Sequence, residues 1–174
     1  MDAAHFVYGA FLGYLWCLVR VYIASPSGRK RFNVLGALNA ETCEVVTVTN
    51  TQYINSETVC EMLDKLARTS KKPKTVVLDN AKYQRCDRVR RHAEKLGIEL
   101  LFLPSYSPNL NLIERFWKLV KKRCLNCRYY NCFECFNSAI AGFIKNANKK
   151  HHSEMKTLLS WNFQNFDKVD VLTD

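Results

Sequence analysis

At 174 residues, 48% of them hydrophobic, the chain is long enough for one well-buried globular domain and too short for two comfortable ones. Its 26 Lys and Arg against 16 Asp and Glu give a formal charge of +10, spread through the chain and not gathered in a tail; this favours a polyanionic partner such as nucleic acid, although most single lysines are solvated surface. Eight cysteines beside a full apolar core and no secretory signal argue for reduced thiols in a cytoplasmic protein rather than a disulfide scaffold.

The apolar run Phe6–Val19 contains Gly9 and Gly13, is followed by Arg20, and falls short of the roughly 18 apolar residues of a membrane span. It is therefore read as buried structure, with no membrane partner. The turn-rich Ser25-Pro-Ser-Gly28 comes next, so a strand ending near Ile23 is expected to pair with the strands beyond that turn. Arg31–Leu38 and Cys43–Thr49, separated by Asn39-Ala-Glu-Thr42, read as an antiparallel hairpin. Val59, Met62, Leu63 and Leu66 fall at i, i+3, i+4, i+7, which predicts a helix capped by Ser56 and ended by Ser70-Lys-Lys-Pro73.

Thr75-Val-Val-Leu-Asp79 is a short, continuously apolar strand of the kind found in a sheet covered on both faces. Cys86, Val89, Ala93 and Leu96 stripe the next helix, which Gly97 terminates. Ile98–Leu103 reads as another buried strand, followed by a loop framed by Pro104 and Pro108. Ile113, Phe116, Trp117 and Val120 define a helix, and Phe133, Phe136, Ile140, Phe143 and Ile144 a last one. From His151 the chain reads as a polar tail with scattered aromatics, so the expected division is a catalytic domain over 1–150 and a C-terminal tail over 151–174. Strands alternating with helices in the second half predict an α/β fold with a mixed sheet, a parallel section beside the antiparallel hairpin.

Right-handed crossovers bring the loops after Asp79 and Leu103 to one sheet edge, and Glu114 arrives just beyond that edge on the following helix. Two carboxylates so placed suggest a divalent-metal site. Each also has a plainer reading: Asp79-Asn80 as a turn opening, Glu114 as the i,i+4 partner of Lys118, and Asp2 as a polar residue at a frayed terminus. His5, three residues from Asp2, would point to the opposite face of an alternating strand. Asn80, Tyr106 and Asn109 are candidates for contacts around the site or to a DNA backbone, and Lys118 and Lys121 share the Glu114 face of their helix, where they would hold phosphates or form a solvated stripe. Cys124-x2-Cys127-x4-Cys132-x2-Cys135 has the paired form of a zinc ligand set, but the gap between pairs is shorter than in zinc ribbons and fingers; Cys132 and Cys135 are read as packing with Phe136.

Val77-Leu-Asp-Asn-Ala-Lys-Tyr-Gln84 and Leu103-Pro-Ser-Tyr-Ser-Pro-Asn-Leu-Asn-Leu-Ile-Glu-Arg-Phe-Trp-Lys118 resemble the second and third acidic motifs of DDE transposases of the mariner superfamily, in its bacterial insertion-sequence branch. In that branch 34 residues separate the two carboxylates, as positions 80 to 113 do here. Ser27-Gly-Arg-Lys-Arg-Phe-Asn-Val-Leu-Gly-Ala37 and Asp2-Ala-Ala-His-Phe-Val-Tyr-Gly9 look like the same branch, so the similarity covers nearly the whole chain. The resemblance implies a ribonuclease-H-like fold and a three-carboxylate site at Asp2, Asp79 and Glu114, holding two Mg²⁺ ions with Mn²⁺ as a substitute. Asp2 would bridge both ions while Asp79 and Glu114 each hold one. The implied activity is strand cleavage at transposon ends followed by strand transfer into target DNA, by a homodimer in a paired-end complex, with the protein in the cytoplasm and on the nucleoid when bound.

The departure from the family is at the beginning, where Met1 directly precedes Asp2. Family members carry apolar residues and helix-turn-helix domains upstream of the first Asp, so the expectation is a first strand shortened at its start and a missing DNA-end-recognition region. Activity would then be impaired, or would depend on a separate N-terminal DNA-binding half. The competing readings are a non-catalytic remnant that binds DNA without cutting, and a ribonuclease-H-like nuclease for RNA–DNA hybrids, against which the Ser107–Glu114 motif argues.

Overall fold

A computed structural model describes residues 1–9, 16–22, 30–70, 72–104 and 110–159. The order of elements is β1 (Asp2–Val7), β2 (Arg31–Leu38), β3 (Val45–Asn50), α1 (Ser56–Thr69), β4 (Lys74–Leu78), α2 (Asp87–Lys95), β5 (Ile98–Phe102), α3 (Leu112–Cys124), α4 (Phe133–Lys150) and α5 (His152–Leu158). β1, β2 and β3 form an antiparallel sheet with β2 in the middle, and β4 and β5 pair in parallel. Met1 joins the two: its side chain is buried and its nitrogen donates to the Val77 carbonyl at 2.6 Å, tying the start of β1 to β4.

The hairpin forms where the alternating β-branched residues predict it, with Asn39 bonding the backbone of Glu41 and Thr42 and Cys43 taking the left-handed conformation (φ 59°) that closes the turn. Its partner is β1, not a strand ending near Ile23. Ile23 lies outside the described residues, and Trp16–Tyr22 carry no strand; Trp16, Leu18, Val19, Val21 and Tyr22 are exposed. The reading of Phe6–Val19 as buried structure therefore holds for Phe6 and fails at Trp16, Leu18 and Val19. Strand β1 stops at Val7, so nothing pairs these later apolar residues into the sheet. Among the described residues no helix is long and apolar enough to cross a membrane.

Helix α1 starts one residue earlier than its sequence cap suggests. Asn55, not Ser56, is the N-cap; its side chain accepts from the Thr58 backbone N–H at 3.0 Å while the Thr58 hydroxyl reaches back to the Asn55 N–H. Gly97 ends α2 at φ 64°. Strand β5 is only half buried, since Glu99 and Leu101 face solvent. The segment after His151, read as a polar tail, begins with α5, which buries Met155 and Leu159 and is tied to α3 by Arg123 Nη2 donating to both Glu154 oxygens at 2.8 Å. A seven-residue helix with one buried methionine leaves too short a periodic pattern to read from sequence.

Strand alternation divides the core in two. Ala4 and Phe6 of β1 and Phe32 and Val34 of β2 pack under α3, α4 and α5; Ala3, Leu35, Ala37 and Val48 pack on the opposite face against α1, β4 and α2. His5 lies on that second face with Nδ1 2.7 Å from Asn33 Oδ1, as alternation expects.

Helix α3 packs closely on β2 at Gly36. A Cβ added at Gly36 would stand 2.6 Å from Trp117 Cη2 and Cζ2 and 2.9 Å from Ile113 Cδ1, so only glycine lets the indole lie on the strand. Gly36→Ala is expected to destabilise the fold by about 1–3 kcal/mol through overpacking, measured by urea unfolding followed by circular dichroism; unchanged stability would show that α3 is free to lift away.

Candidate active site

The site is assembled from three elements. Asp2 is the first residue of β1 and faces α3; Asp79 directly follows β4; Glu114 stands in the first turn of α3. Asp2 pairs across the sheet with Gly36, the residue beneath the Trp117 ring, and Trp117 Nε1–H donates to Asp2 Oδ2 at 3.1 Å. The aromatic residue that packs the helix thus also orients the first carboxylate.

Asp79 is held from the other end of α3. Asn111 is the N-cap residue, yet its side chain makes no capping bond; its Nδ2–H donates instead to Asp79 Oδ1 at 2.9 Å. Asn111 is buried, so withdrawing it would leave both groups poorly paired.

The electrostatics bind the three acids into one system. Burial first and the Asp79 charge second push the Asp2 carboxyl up to about 7, and in its protonated form it hydrogen bonds Asp79; the more distant Glu114 charge adds to the effect. Glu114 is also raised, by burial and then by Asp79, while Lys118 and Lys121 pull it down. Tyr83 is raised by burial and then by the charges of Asp2 and Asp79.

Of the sequence-predicted residues, the structure brings Asp2 and Asp79 into contact and sets Glu114 within their electrostatic reach. Among the described residues, no three His, Cys, Asp or Glu side chains gather closely enough to hold a metal ion, so Glu114 is a neighbour of the pair and not a third member of a closed cluster. Asn80, Lys118 and Lys121 are exposed near these acids in sequence; Tyr106 and Asn109 lie outside the described residues. Asn111, Trp117 and Tyr83 are the residues sequence reasoning missed. Asn111 and Trp117 fall three before and three after Glu114, one helical turn each way, a signal that was present but indistinguishable from a cap and a core aromatic.

The donor chemistry fits a hard divalent cation. All three acids offer oxygen, two have one oxygen fixed by an N–H donor, and a cation would offset the burial and the Asp79 charge that raise the Asp2 carboxyl. Of the cysteine quartet, Cys124 is buried and Cys127 and Cys135 are exposed, and no metal-holding group forms there either.

The expected single mixed sheet is instead an antiparallel β1–β2–β3 sheet beside a parallel β4–β5 pair, joined through Met1; with helices on both faces and acids at the start of β1, just after β4 and in the first turn of α3, this is the ribonuclease-H-like fold of transposase and integrase catalytic cores. Solved structures with this fold include a pre-cleavage Mos1 transpososome (TM-score 0.60, 13% identity, 95% of this chain and 56% of that one) and the Mos1 mariner paired-end complex with Mn (0.56, 13%, 95% and 56%). The catalytic core of BIV integrase also matches (0.53, 19%, 70% and 77%). The chain spans about half the length of the Mos1 chains. No curated protein matches it. Residues 18–137 match the model of the DDE superfamily endonucleases, and the chain belongs to that family.

The shared proton has a thermodynamic consequence. Between the usual aspartate value near 4 and about 7, the folded protein binds a proton at Asp2 that the unfolded chain has released, so this contribution to stability is present at low pH and lost as pH rises through that window. Without divalent cations, Asp2→Asn is expected to match the parent at pH 4 and to exceed its unfolding free energy by on the order of 3–4 kcal/mol at pH 8. Urea unfolding of both proteins at several pH values checks this; a pH-independent difference would mean that Asp2 titrates normally.

Proposed function

We propose that the chain is the catalytic domain of a DDE transposase of the mariner superfamily, in its bacterial insertion-sequence branch, and that Asp2, Asp79 and Glu114 are its catalytic, metal-holding carboxylates. The observation that carries this reading is the Asp2–Asp79 pair, one acid opening β1 and the other just after β4, with the Asp2 carboxyl raised by burial and by the Asp79 charge, and the two held by Trp117 of α3 and by its N-cap Asn111. A structural role does not require such an arrangement; like charges are brought together where a function uses them.

Two Mg²⁺ ions, or Mn²⁺ in their place, would supply Lewis-acid stabilisation of the entering and leaving oxygens of an in-line displacement at phosphorus. The residues of this chain have separate tasks around that chemistry. Asp2, Asp79 and Glu114 provide the anionic oxygens. Trp117 and Asn111 hold Asp2 and Asp79 in place, so that little reorganisation is needed when the cations arrive. Lys118 and Lys121, exposed on the Glu114 side of α3, would bind backbone phosphates of DNA, with Asn80, Tyr106 and Asn109 as further contacts. The substrate is a transposon end and then target DNA, handled by two protomers in a paired-end complex; the Mos1 relatives of this fold were captured as such complexes. A separate N-terminal DNA-binding half is a further expected partner.

One observation favours a second reading. Glu114 does not close with the two aspartates into a three-ligand group, which suits a remnant that binds DNA but no longer cuts it.

Supercoiled plasmid with Mg²⁺ or Mn²⁺ separates the two. The transposase reading expects nicking that Asp79→Ala abolishes and Asn111→Ala lowers by about 10–100-fold without loss of fold. DNA binding with no cleavage by any folded form would leave the remnant. In either case Lys118→Ala with Lys121→Ala is expected to reduce the slope of log affinity against log salt by roughly 2, read by titrating duplex binding at several salt concentrations; an unchanged slope would place the phosphate contacts elsewhere.

A further inference from the structure

The cysteine quartet is not two equivalent pairs. Cys124 is buried in the α3–α4 core, its Sγ donates to the Ala139 carbonyl at 3.8 Å, and burial pushes its thiol up to about 11, so it is unreactive packing. Cys132 and Cys135 are arranged differently. Cys132 is the N-cap of α4 and its Sγ accepts the Cys135 backbone N–H at 3.1 Å; Cys135 is exposed, and its thiol hydrogen bonds the same sulfur.

Helix geometry sets the Cα atoms of residues i and i+3 about 5 Å apart, inside the about 4.4–6.8 Å window that a disulfide spans. The Cys132 sulfur already stands 3.1 Å from the Cys135 backbone nitrogen. The turn that holds them is fixed from below: Phe133, between the cysteines, packs edge-on against Tyr8 at 5.7 Å and lies beneath Lys30 Nζ at 5.5 Å, while Phe136 packs against Tyr8 and Tyr130. Closing the bond therefore requires side-chain rotation and no movement of the helix.

We propose that Cys132 and Cys135 form a redox-active dithiol that a small-molecule disulfide oxidises to an intramolecular disulfide across the first turn of α4. One cysteine thiolate attacks the reagent, giving a mixed disulfide and releasing one small thiol. The second cysteine then attacks the protein sulfur of that mixed disulfide and expels the second small thiol. The protein loses two protons and two electrons, and the reagent gains them as two thiols. The site lies at the Tyr8 end of the β1 strand, away from the Asp2 end, and does not depend on the proposed nuclease activity.

Oxidised glutathione added to the reduced, folded chain tests this, because trypsin separates the pairs: Tyr129–Lys145 contains Cys132 and Cys135 and no other cysteine, whereas Cys124–Arg128 contains Cys124 and Cys127. The expected product is a Tyr129–Lys145 peptide lighter by two hydrogens, formed equally in Cys127→Ser. Cys132→Ser, whose hydroxyl can still cap α4, is expected to stop at a glutathione adduct on Cys135, with its circular dichroism confirming the fold. Recovery of the dithiol, two stable glutathione adducts on the parent peptide, or a disulfide joining the two peptides would each overturn the proposal.

Discussion

The contact of Trp117 with Gly36 is the constraint on which the rest of the site depends. A residue with a side chain at position 36 would hold α3 away from the sheet, and the indole would then lose both its bed and its reach to Asp2. Because Trp117 and Ile113 both rest on this glycine, the axial position and rotation of α3 are set together. Glu114 and Asn111, on the same helix, are thereby delivered to the acids at the sheet edge. One packing decision in the core fixes the arrangement of the acids at the sheet edge.

The electrostatics run against that packing. The raised Asp2 carboxyl reflects first the water it has lost on burial and second the charge of Asp79 beside it. The two core layers supply what offsets it: the α3–α4–α5 side through Phe6, Phe116, Phe136 and Ile140, and the α1–α2 side through Leu35, Met62, Leu63 and Leu78. Strain of this sort held in place by a well-packed scaffold is a common property of sites that bind cations or turn over substrate. Asn111 illustrates the same trade on a smaller scale, giving up its helix-capping bond to hold Asp79.

The C-terminal helices extend the reasoning beyond the acids. Arg123 and Glu154 clasp α5 to α3, and α4 packs against both with Phe136, Ile140 and Ile144 inward. The first turn of α4 is consequently rigid on its inner side and open on its outer side, where Cys135 is exposed. A thiol pair in that setting is preorganised, whereas the buried Cys124 a few residues earlier is merely packed.

Much of this was legible in the chain itself. The hairpin, α1, β4, α2, α3 and α4 follow from alternation, heptad-like spacing and turn residues, because each of those signals is local; Asp79 and Glu114 were legible because a strand end and a helix start are local features too. What the sequence left open was whatever depends on which surfaces meet. The partner of β2, the exposure of Trp16–Tyr22, the docking of α5, and the use of Asn111 and Trp117 as supports for the carboxylates were decided only by tertiary structure. The physical reason is that a cap, a core aromatic and a frayed aspartate each satisfy their own local rule equally well, until close approach at Gly36 and the shared charge of Asp2 and Asp79 commit them to a single arrangement.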